Sequence, residues 1–359
     1  MKIIEVIPHL KSGGAEKFVV DISGAFDRLG HESYVLTLFT PMENDLLYQQ
    51  LPLRVKKDNL NKKPGFDLRL FFKLFRHIEA TSPDIVHFHI GAIKYGLISA
   101  LFYRKCKYYA TIHSEAKREA GKGIEKWVRK FMFRHHLMIP VTISPESESS
   151  FYRFYGYHTL MIPNGCAPYS PKNLDTLFNE YHSDVDFLFV HAGRVHPVKN
   201  QKMLVTAIER VQELGYKVRL LILGRGDNDE ITKFITDHTS KFITYLGERA
   251  NVRDYVAISD AFCISSIQEG LPITALESFS VGTPVISTPV GGCLNVIKDG
   301  ETGKLAREVS VDAYVDTLIE FMTSKQKDRA RMRETCQKEF KDNYTIEKCA
   351  ERYLKAFNR

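Results

Sequence analysis

The segment KIIEVIPHLKSGGAEKFVVDISGAFDRLG, residues 2–30, has the pattern of a strand, a turn and a helix. Its first residues are mostly apolar, which predicts a buried strand. After a Gly-Gly turn, Phe18, Ile22 and Leu29 recur on one helical face, and Gly30 provides a helix stop. A strand followed by an amphipathic helix predicts a βαβ unit and therefore a parallel sheet.

The same pattern runs through the first half of the chain and begins again in the second half. Strands are predicted at SYVLTLF, DIVHFHI, YYATIH and LMIPVTIS, and then at DFLFVHAG, KVRLLILG, ITYLG, AFCISS and PVIST. Between the two series, a segment rich in Pro, Asn, Asp and Ser predicts a linker at about residues 165–185. We therefore predict an α/β protein with two parallel-sheet domains and a cleft between them, over residues 1–170 and 171–340. A final helix, 341–359, is expected to pack back on the first domain.

Composition limits the classes of function. A chain of 359 residues is long enough for two domains with cores of their own. The six cysteines are scattered without a CxxC pair, which favours reduced, structural thiols. No apolar run approaches the ~20 residues of a membrane span, and the first residues do not resemble a secretory signal, so we expect a cytoplasmic protein. The net charge of +7 favours an anionic partner.

The segment SIQEGLPITALE, residues 266–277, contains the first candidate site. Pro272 favours the first turn of a helix that is predicted to end near Val281. Glu269 is then a loop residue, and Glu277 lies in the second turn. The two carboxylates could be an acid/base pair that cleaves sugars, two groups that bind sugar hydroxyls, or a helix-dipole partner and a surface residue. The backbone N–H groups that could assist Glu269 belong to Gly270 and Leu271.

The segment HAGRVHPVKNQ predicts a second candidate site. Arg194 and Lys199 flank the start of a helix, an arrangement that suits a diphosphate, although a solvated basic turn has the same composition. In the first domain, Gly14 follows a strand and permits close approach of a phosphate or sugar, without a GxGxxG or P-loop pattern. His113 also follows a strand, so it lies either at the ligand-binding edge of the sheet or in a structural position.

Two further patterns suggest metal ligands but have simpler explanations. His87 and His89 alternate on one strand, yet no third ligand is evident in the sequence, so we interpret them as structural or cleft-lining. Asp227 and Asp229 form a D-x-D motif, which turn and helix-cap chemistry already explains. We therefore predict no metal site.

A basic stretch, residues 101–136, has ten Lys or Arg against three Glu. Its last part, residues 123–136, predicts an amphipathic helix suited to an anionic membrane surface. The alternative is an ordinary helix that buries Trp127 and Phe131 in the core. No nucleic-acid-binding module is present, so nucleic acid is not expected as a partner. The residues assigned to the membrane-facing surface are Lys126, Trp127, Arg129, Lys130, Phe131 and Arg134.

These segments together resemble the retaining glycosyltransferases of family 4, also called group 1, which have the GT-B fold of two facing Rossmann-like domains. The resemblance covers nearly the whole chain and rests on five segments in the family's order: GGAEKF, IPNG, GRVHPVKN, the E-x7-E motif with its EGLP opening, and GTPVISTPVGG. One departure is NGCA, where the family often has NGVD or NGID.

The resemblance implies roles for the candidate residues. Arg194 and Lys199 would hold the diphosphate of a nucleotide sugar, and Glu277 would bind the ribose. Glu269, with the N–H groups of Gly270 and Leu271, would contact the sugar and the diphosphate. Gly14 would border the donor phosphate and the acceptor, and His113 would lie beside the transferred sugar. The residues expected to act in catalysis are Glu269, His113, Arg194 and Lys199.

The family further implies a retaining, metal-independent transfer without a cofactor. The expected donor is a UDP-sugar, and the expected acceptor is a lipid-linked glycan precursor of capsule, exopolysaccharide or envelope synthesis. Such an enzyme would be cytoplasmic or peripheral on the inner face of the membrane. Two other classes remain open: a glycoside hydrolase or phosphorylase, and a non-catalytic protein that binds nucleotide sugars.

Overall fold

The computed structural model describes residues 1–11, 13–43, 45–65 and 67–358. The chain divides into two compact units. Unit 1 comprises residues 1–167 and 346–359, and unit 2 comprises residues 168–345. Each unit has a parallel sheet with helices packed against it, so the α/β class is confirmed.

The sheet of unit 1 has seven parallel strands within the described residues, in the order β3-β2-β1-β4-β5-β6-β7. The central strand β4 is buried along its whole length, and its neighbours β1 and β5 are buried except at their first residues, because helices cover both faces. The strands are β1 (Lys2–Ile7), β2 (Glu32–Thr37), β3 (Lys56–Asn59), β4 (Ile85–His89), β5 (Lys107–Ile112), β6 (Ile139–Thr142) and β7 (Leu160–Met161).

The helices of unit 1 follow the strands as the βαβ pattern predicts. In α1, Phe18, Ile22 and Phe26 are fully buried, whereas Leu29 follows the helix end and is 37% exposed. The helices are α1 (Gly14–Arg28), α2 (Leu46–Gln49), α3 (Arg69–Thr81), α4 (Leu97–Phe102), α5 (Ala116–Glu119), α6 (Ile124–Arg134) and α7 (Pro145–Tyr155), with a 3-10 segment at Ile90–Gly96.

Unit 2 repeats the arrangement with six parallel strands in the described chain, in the order β10-β9-β8-β11-β12-β13. The strands are β8 (Phe187–Ala192), β9 (Val218–Leu223), β10 (Ile243–Gly247), β11 (Ala261–Ile264), β12 (Val285–Ser287) and β13 (Gly303–Leu305). The helices are α8 (Leu174–Tyr181), α9 (Gln201–Glu213), α10 (Asp229–Asp237), α11 (Val252–Ile258), α12 (Ile273–Ser280), α13 (Cys293–Val296), α14 (Val311–Thr323) and α15 (Gln326–Glu339).

The last helix, α16 (Ile346–Phe357), belongs to unit 1. It packs against α1 and buries Tyr353 and Phe357 almost completely. Its carbonyl groups accept hydrogen bonds from strand β5: Tyr109 Oη donates to the carbonyl of Ala356 at 2.9 Å, and Lys107 Nζ donates to that of Phe357 at 2.9 Å. The core of unit 1 is therefore built from both ends of its chain.

Candidate functional site

The candidate site residues of unit 2 follow adjacent strands of one sheet. Strand β8 pairs with β9 on one side and with β11 on the other, and β11 pairs with β12. The chain thus reverses its direction of winding between β8 and β11, and ligands of open α/β sheets bind at the carboxyl ends of strands at such a point. Arg194 and Lys199 follow β8, and Glu269 follows β11.

Lys199 and Glu269 form the central contact of this edge. Lys199 Nζ lies 2.6 Å from Glu269 Oε1, and Ser266 Oγ donates to the same oxygen at 2.6 Å. Within the described residues, no hydrogen bond is donated to the second oxygen, Oε2. The half-buried carboxylate is therefore fixed through one oxygen, and the other oxygen still has the capacity to accept a hydrogen bond.

The loop that carries Glu269 is held by a close backbone approach. A Cβ atom on Gly291 would stand 1.9 Å from the carbonyl oxygen of Glu269, and one on Gly292 would stand 1.9 Å from that of Gly270. In addition, Thr288 Oγ1 donates to the carbonyl of Ser266 at 2.6 Å. The Gly-Gly pair of GTPVISTPVGG thus lets two loops touch along their main chains.

Arg194 is held through its backbone, while its side chain is half exposed. The buried Gln201 Nε2 donates to the carbonyl of Arg194 at 2.8 Å and lies 3.3 Å from His191 Nε2. His191 Nδ1 donates to the carbonyl of Cys263 at 2.9 Å, and burial lowers the pKa of His191 to about 4. Sequence reasoning missed Gln201 and His191 because their roles depend on contacts between strands.

Glu277, the second acid of the E-x7-E motif, lies on α12. As predicted, Glu269 is in the preceding loop, and Glu277 lies in the second turn of the helix, which spans Ile273–Ser280. No side chain caps the start of α12 within the described residues. The side chain of Leu271 is buried, at 7% exposure, so only its main chain can contribute to binding.

The D-x-D motif is part of a helix start. Asn228 caps α10 by accepting a hydrogen bond from the Ile231 N–H at 2.9 Å, and Asp229 is the first residue of that helix. Asp227 lies 3.8 Å from Arg194 Nη1 and 3.4 Å from Arg225 Nε. The helix cap is thus Asn228, which lies between the two aspartates, while Asp227 forms ion pairs with the two arginines.

In unit 1, Gly14 and His113 belong to the carboxyl edge of that unit's own sheet. Gly14 is the first residue of α1, which follows β1, and His113 directly follows β5. The ring of Phe18 lies edge-on to His113, with 5.7 Å between ring centroids. Glu119, which the sequence analysis did not single out, accepts a hydrogen bond from the His113 N–H at 2.8 Å.

The structure gives His87 and His89 an acidic neighbour that the sequence analysis did not identify. Both are buried as expected for structural residues, but an acidic partner that the sequence did not reveal, Glu5, contacts both rings. Glu5 stands on β1, more than eighty positions away along the chain. It is adjacent only because β1 and β4 pair in the sheet.

The basic helix α6 differs from its predicted pattern at one residue. Arg129 is buried at 1% exposure, because its Nη2 donates to the carbonyl of Ile90 at 2.8 Å and to Glu125 at 3.2 Å. It therefore cannot belong to a membrane-facing surface. Trp127, by contrast, is 74% exposed, so the alternative in which it packs into the core is wrong.

The outer face of α6 combines apolar and basic side chains. Ile124, Trp127 and Phe131 recur at helical spacing and are all exposed. The exposed cations of the same helix are Lys126, Lys130 and Arg134. Across the described residues, none of the helices has the length and apolar character needed to pass through a bilayer.

Two family models match the chain, one over each half. The model for Glycosyltransferase Family 4 matches residues 12–168, and the model for Glycosyl transferases group 1 matches residues 175–339. The chain is also similar to N-acetyl-alpha-D-glucosaminyl L-malate synthase of Bacillus anthracis, with 23% identity over 93% of this chain and 92% of that protein.

A second relative and a solved structure extend this likeness. The UDP-Gal:alpha-D-GlcNAc-diphosphoundecaprenol alpha-1,3-galactosyltransferase of Escherichia coli is 24% identical over 70% of each chain. Anabaena HepE, solved in complex with UDP and glucose, has a TM-score of 0.84 with 19% identity and covers 100% of this chain and 99% of its own. The predicted fold class, with two Rossmann-like domains of the GT-B type, is confirmed.

Proposed function

Because the chain belongs to the group 1 glycosyltransferases of family 4, we propose that it transfers a hexose or N-acetylhexosamine from a UDP-sugar to a lipid-linked glycan precursor. The observation that carries the donor assignment is the Lys199–Glu269 contact, 2.6 Å long, at the switch point of the unit 2 sheet. In this contact an ammonium group and a carboxylate lie side by side. A nucleoside diphosphate sugar presents both complementary groups, an anionic diphosphate and hydroxyls.

Each candidate residue has a role in this proposal. Arg194 and Lys199 bind the diphosphate, and Glu277 binds the ribose hydroxyls. Glu269 Oε2 accepts a hydrogen bond from the donor sugar, since Oε1 is already occupied by Lys199 and Ser266. The main-chain N–H groups of Gly270 and Leu271 assist Glu269. Gly14 borders the donor phosphate and the acceptor, and His113 contacts the transferred sugar.

We propose retention of configuration through front-side attack. The acceptor hydroxyl forms a bond to the anomeric carbon on the face from which the diphosphate leaves, and a departing phosphate oxygen takes the hydroxyl proton. Negative charge builds up on the diphosphate as its bond breaks, and the two cations, Arg194 and Lys199, stabilise it. This charge balance requires no divalent metal and no cofactor.

A lipid-linked acceptor would bring the enzyme to a membrane surface, and α6 has side chains suited to that location. The exposed apolar residues of this helix would enter the interface, while the exposed cations would meet anionic headgroups. A place in capsule, exopolysaccharide or envelope glycan synthesis follows from such an acceptor. The name of the Escherichia coli relative supports a diphosphoundecaprenol-linked acceptor, whereas that of the Bacillus anthracis relative supports a small one.

The donor assignment is tested by a thermal-shift screen of nucleotide sugars, followed by transfer assays with the donor that binds. UDP-sugars should raise the melting temperature, and the product should keep the anomeric configuration of the donor. The assay should compare a polyprenyl-diphosphate-linked saccharide with malate as acceptor. No stabilisation by UDP or its sugars would overturn the donor assignment, and rapid release of free sugar without an acceptor would favour a hydrolase.

The membrane assignment is tested by flotation with liposomes that contain or lack anionic lipid. The wild-type protein should float with anionic liposomes, and Trp127→Ser combined with Lys130→Ser should abolish flotation. Tyr152→Ser is the control, because Tyr152 is an exposed aromatic residue of the same unit outside α6. Flotation that is unchanged in the double variant would contradict the assignment.

A further inference from the structure

A buried polar network in unit 1 connects the first strand to His113. Glu5 of β1 and the two histidines of β4, His87 and His89, are fully buried. The sheet register places Glu5 opposite His87. His113 follows the next strand, β5, and lies beside His89. Four titratable side chains thus form a continuous chain through the interior.

The distances are those of hydrogen bonds. Glu5 Oε2 lies 2.9 Å from His87 Nδ1 and 2.5 Å from His89 Nε2. On its other side, His89 Nδ1 lies 2.9 Å from His113 Nε2. Two ligands of one metal ion with bonds of ~2.0 Å would stand ~3.3 Å apart, so the 2.5 Å separation indicates a direct hydrogen bond.

The charge on Glu5 sets the direction of the first two bonds. Burial alone would raise the pKa of Glu5, but its contacts with His87 and His89 outweigh burial and lower the pKa to about 2. A carboxylate is only an acceptor. His87 Nδ1 and His89 Nε2 must therefore both carry a hydrogen and donate it to Glu5.

The direction of the next bond follows from the neutral state of His89. Burial lowers the pKa of His89 to about 4, so the ring is uncharged at neutral pH and carries one hydrogen. Because that hydrogen is on Nε2, Nδ1 is an acceptor and His113 Nε2 must donate to it. Burial also holds the pKa of His113 well below its ordinary value, so His113 Nδ1 carries a lone pair.

We propose that Glu5 and His89 are positioning residues that fix His113 in its Nε2–H tautomer, so that Nδ1 accepts a hydrogen bond from a hydroxyl of the transferred sugar. Within the described residues, Nδ1 of the half-buried His113 has no hydrogen-bond partner. The inference rests on the proposed function, which puts a sugar beside His113. The negative charge of Glu5 thus determines, through the ring of His89, which nitrogen of His113 is the acceptor.

A second branch of the network provides a matched control. His87 Nε2 lies 2.7 Å from Thr111 Oγ1, which lies 2.7 Å from Tyr353 Oη on α16. This branch shares Glu5 but does not pass through His89. Removing the Tyr353 hydroxyl therefore leaves the bonds that orient His113 intact.

The tautomer is measured directly by NMR of the full-length protein labelled with 15N-histidine, with signals assigned through His113→Asn and His89→Asn variants. At pH 7.5, His113 should be protonated at Nε2 and not at Nδ1. Glu5→Gln, whose amide can both donate and accept, should mix the two tautomers of His113, whereas Tyr353→Phe should leave them unchanged. An Nδ1–H tautomer in the wild-type protein, or one equivalent of bound metal that Glu5→Gln removes, would overturn the proposal.

Kinetics provide a second measurement that separates this inference from the proposed function. Glu5→Gln should lower kcat by about 10- to 100-fold, the usual cost of losing a residue that orients a functional histidine. The affinity for UDP should stay the same, because Arg194 and Lys199 are untouched. Unchanged kcat in Glu5→Gln would overturn the positioning role, whereas absence of transfer in the wild-type protein would overturn only the proposed function.

Discussion

The side chains of Lys199 and Glu269 are in contact although 70 residues separate them in the sequence. From sequence, Pro272 already separates a loop acid from a helical acid. The cation that holds Glu269 could not be identified in this way, because the pairing depends on β8 and β11 being neighbours. The order of strands in a parallel sheet is set by helix packing and crossovers and not by local periodicity.

Replacing Glu269 by glutamine tests the sugar contact. Glu269→Gln keeps the shape of the side chain but removes the charge that pairs with Lys199, so the rate of sugar transfer should fall at least about 100-fold. Glu320→Gln, a surface carboxylate of the same unit paired with Lys304, should have no effect. Both variants are compared by initial rates at saturating donor. Transfer near the wild-type rate in Glu269→Gln would contradict its role.

His191 gives unit 2 a stability that depends on pH. Its folded-state pKa of about 4 is below the unfolded value of 6.5, so the unfolded chain binds more protons between these values. Lowering the pH from 7 to 5 should therefore cost about 2 kcal/mol of unfolding free energy at this residue. His191→Asn retains a donor for the Cys263 carbonyl and should be less sensitive to pH in scanning calorimetry. An identical pH dependence in both proteins would contradict this.

For the basic helix α6, the sequence predicts the bounds of the helix better than it predicts which side chains are buried. The basic helix was expected over residues 123–136 and spans Ile124–Arg134. Its periodicity did not show that Arg129 faces inward, because one of its two acceptors, the carbonyl of Ile90, belongs to another segment, whereas Glu125 lies on the same helix. A buried arginine and an exposed one have the same helical spacing, so only the packing distinguishes them.

A second prediction concerns the contact between the loop of Glu269 and the loop of Gly291. Gly291→Ala would put a methyl group 1.9 Å from the Glu269 carbonyl oxygen and should displace the loop, lowering affinity for a UDP-sugar at least about tenfold. Gly300→Ala is the control. Gly300 also has a positive φ, of 75°, but has open space around it, so its substitution should affect stability alone. Equal affinities of the two variants would show that loop contact is unimportant.

For the whole molecule, the sequence predicts two series of strands and helices and a final helix, 341–359, that packs back on the first domain. Unit 1 is completed by α16, whose residues lie about 180 positions after the unit's first segment ends. The amphipathic pattern predicts that this helix has one buried face. It did not identify the carbonyl acceptors that Lys107 and Tyr109 use, which depend on the position of β5.

The contribution of α16 to unit 1 is measured by calorimetry. Phe357 is 1% exposed and packs against Tyr109, so Phe357→Ala should cost about 3–5 kcal/mol of the unfolding free energy of unit 1. Phe102→Ala, in the same unit but 73% exposed, should change the transition little. If the two variants shift the melting temperature of unit 1 equally, α16 does not stabilise it.

The central claim is that the edge of the unit 2 sheet binds the diphosphate of a nucleotide-sugar donor. Isothermal titration of UDP into the wild-type protein, Lys199→Ala and Arg210→Ala tests it most directly, since Arg210 is a half-exposed cation of the same unit paired with Asp312. The wild-type protein and Arg210→Ala should bind UDP equally, and Lys199→Ala should bind at least about tenfold more weakly because it loses a charge-assisted contact. Absence of UDP binding by the wild-type protein, or equal affinity in all three proteins, would contradict the claim.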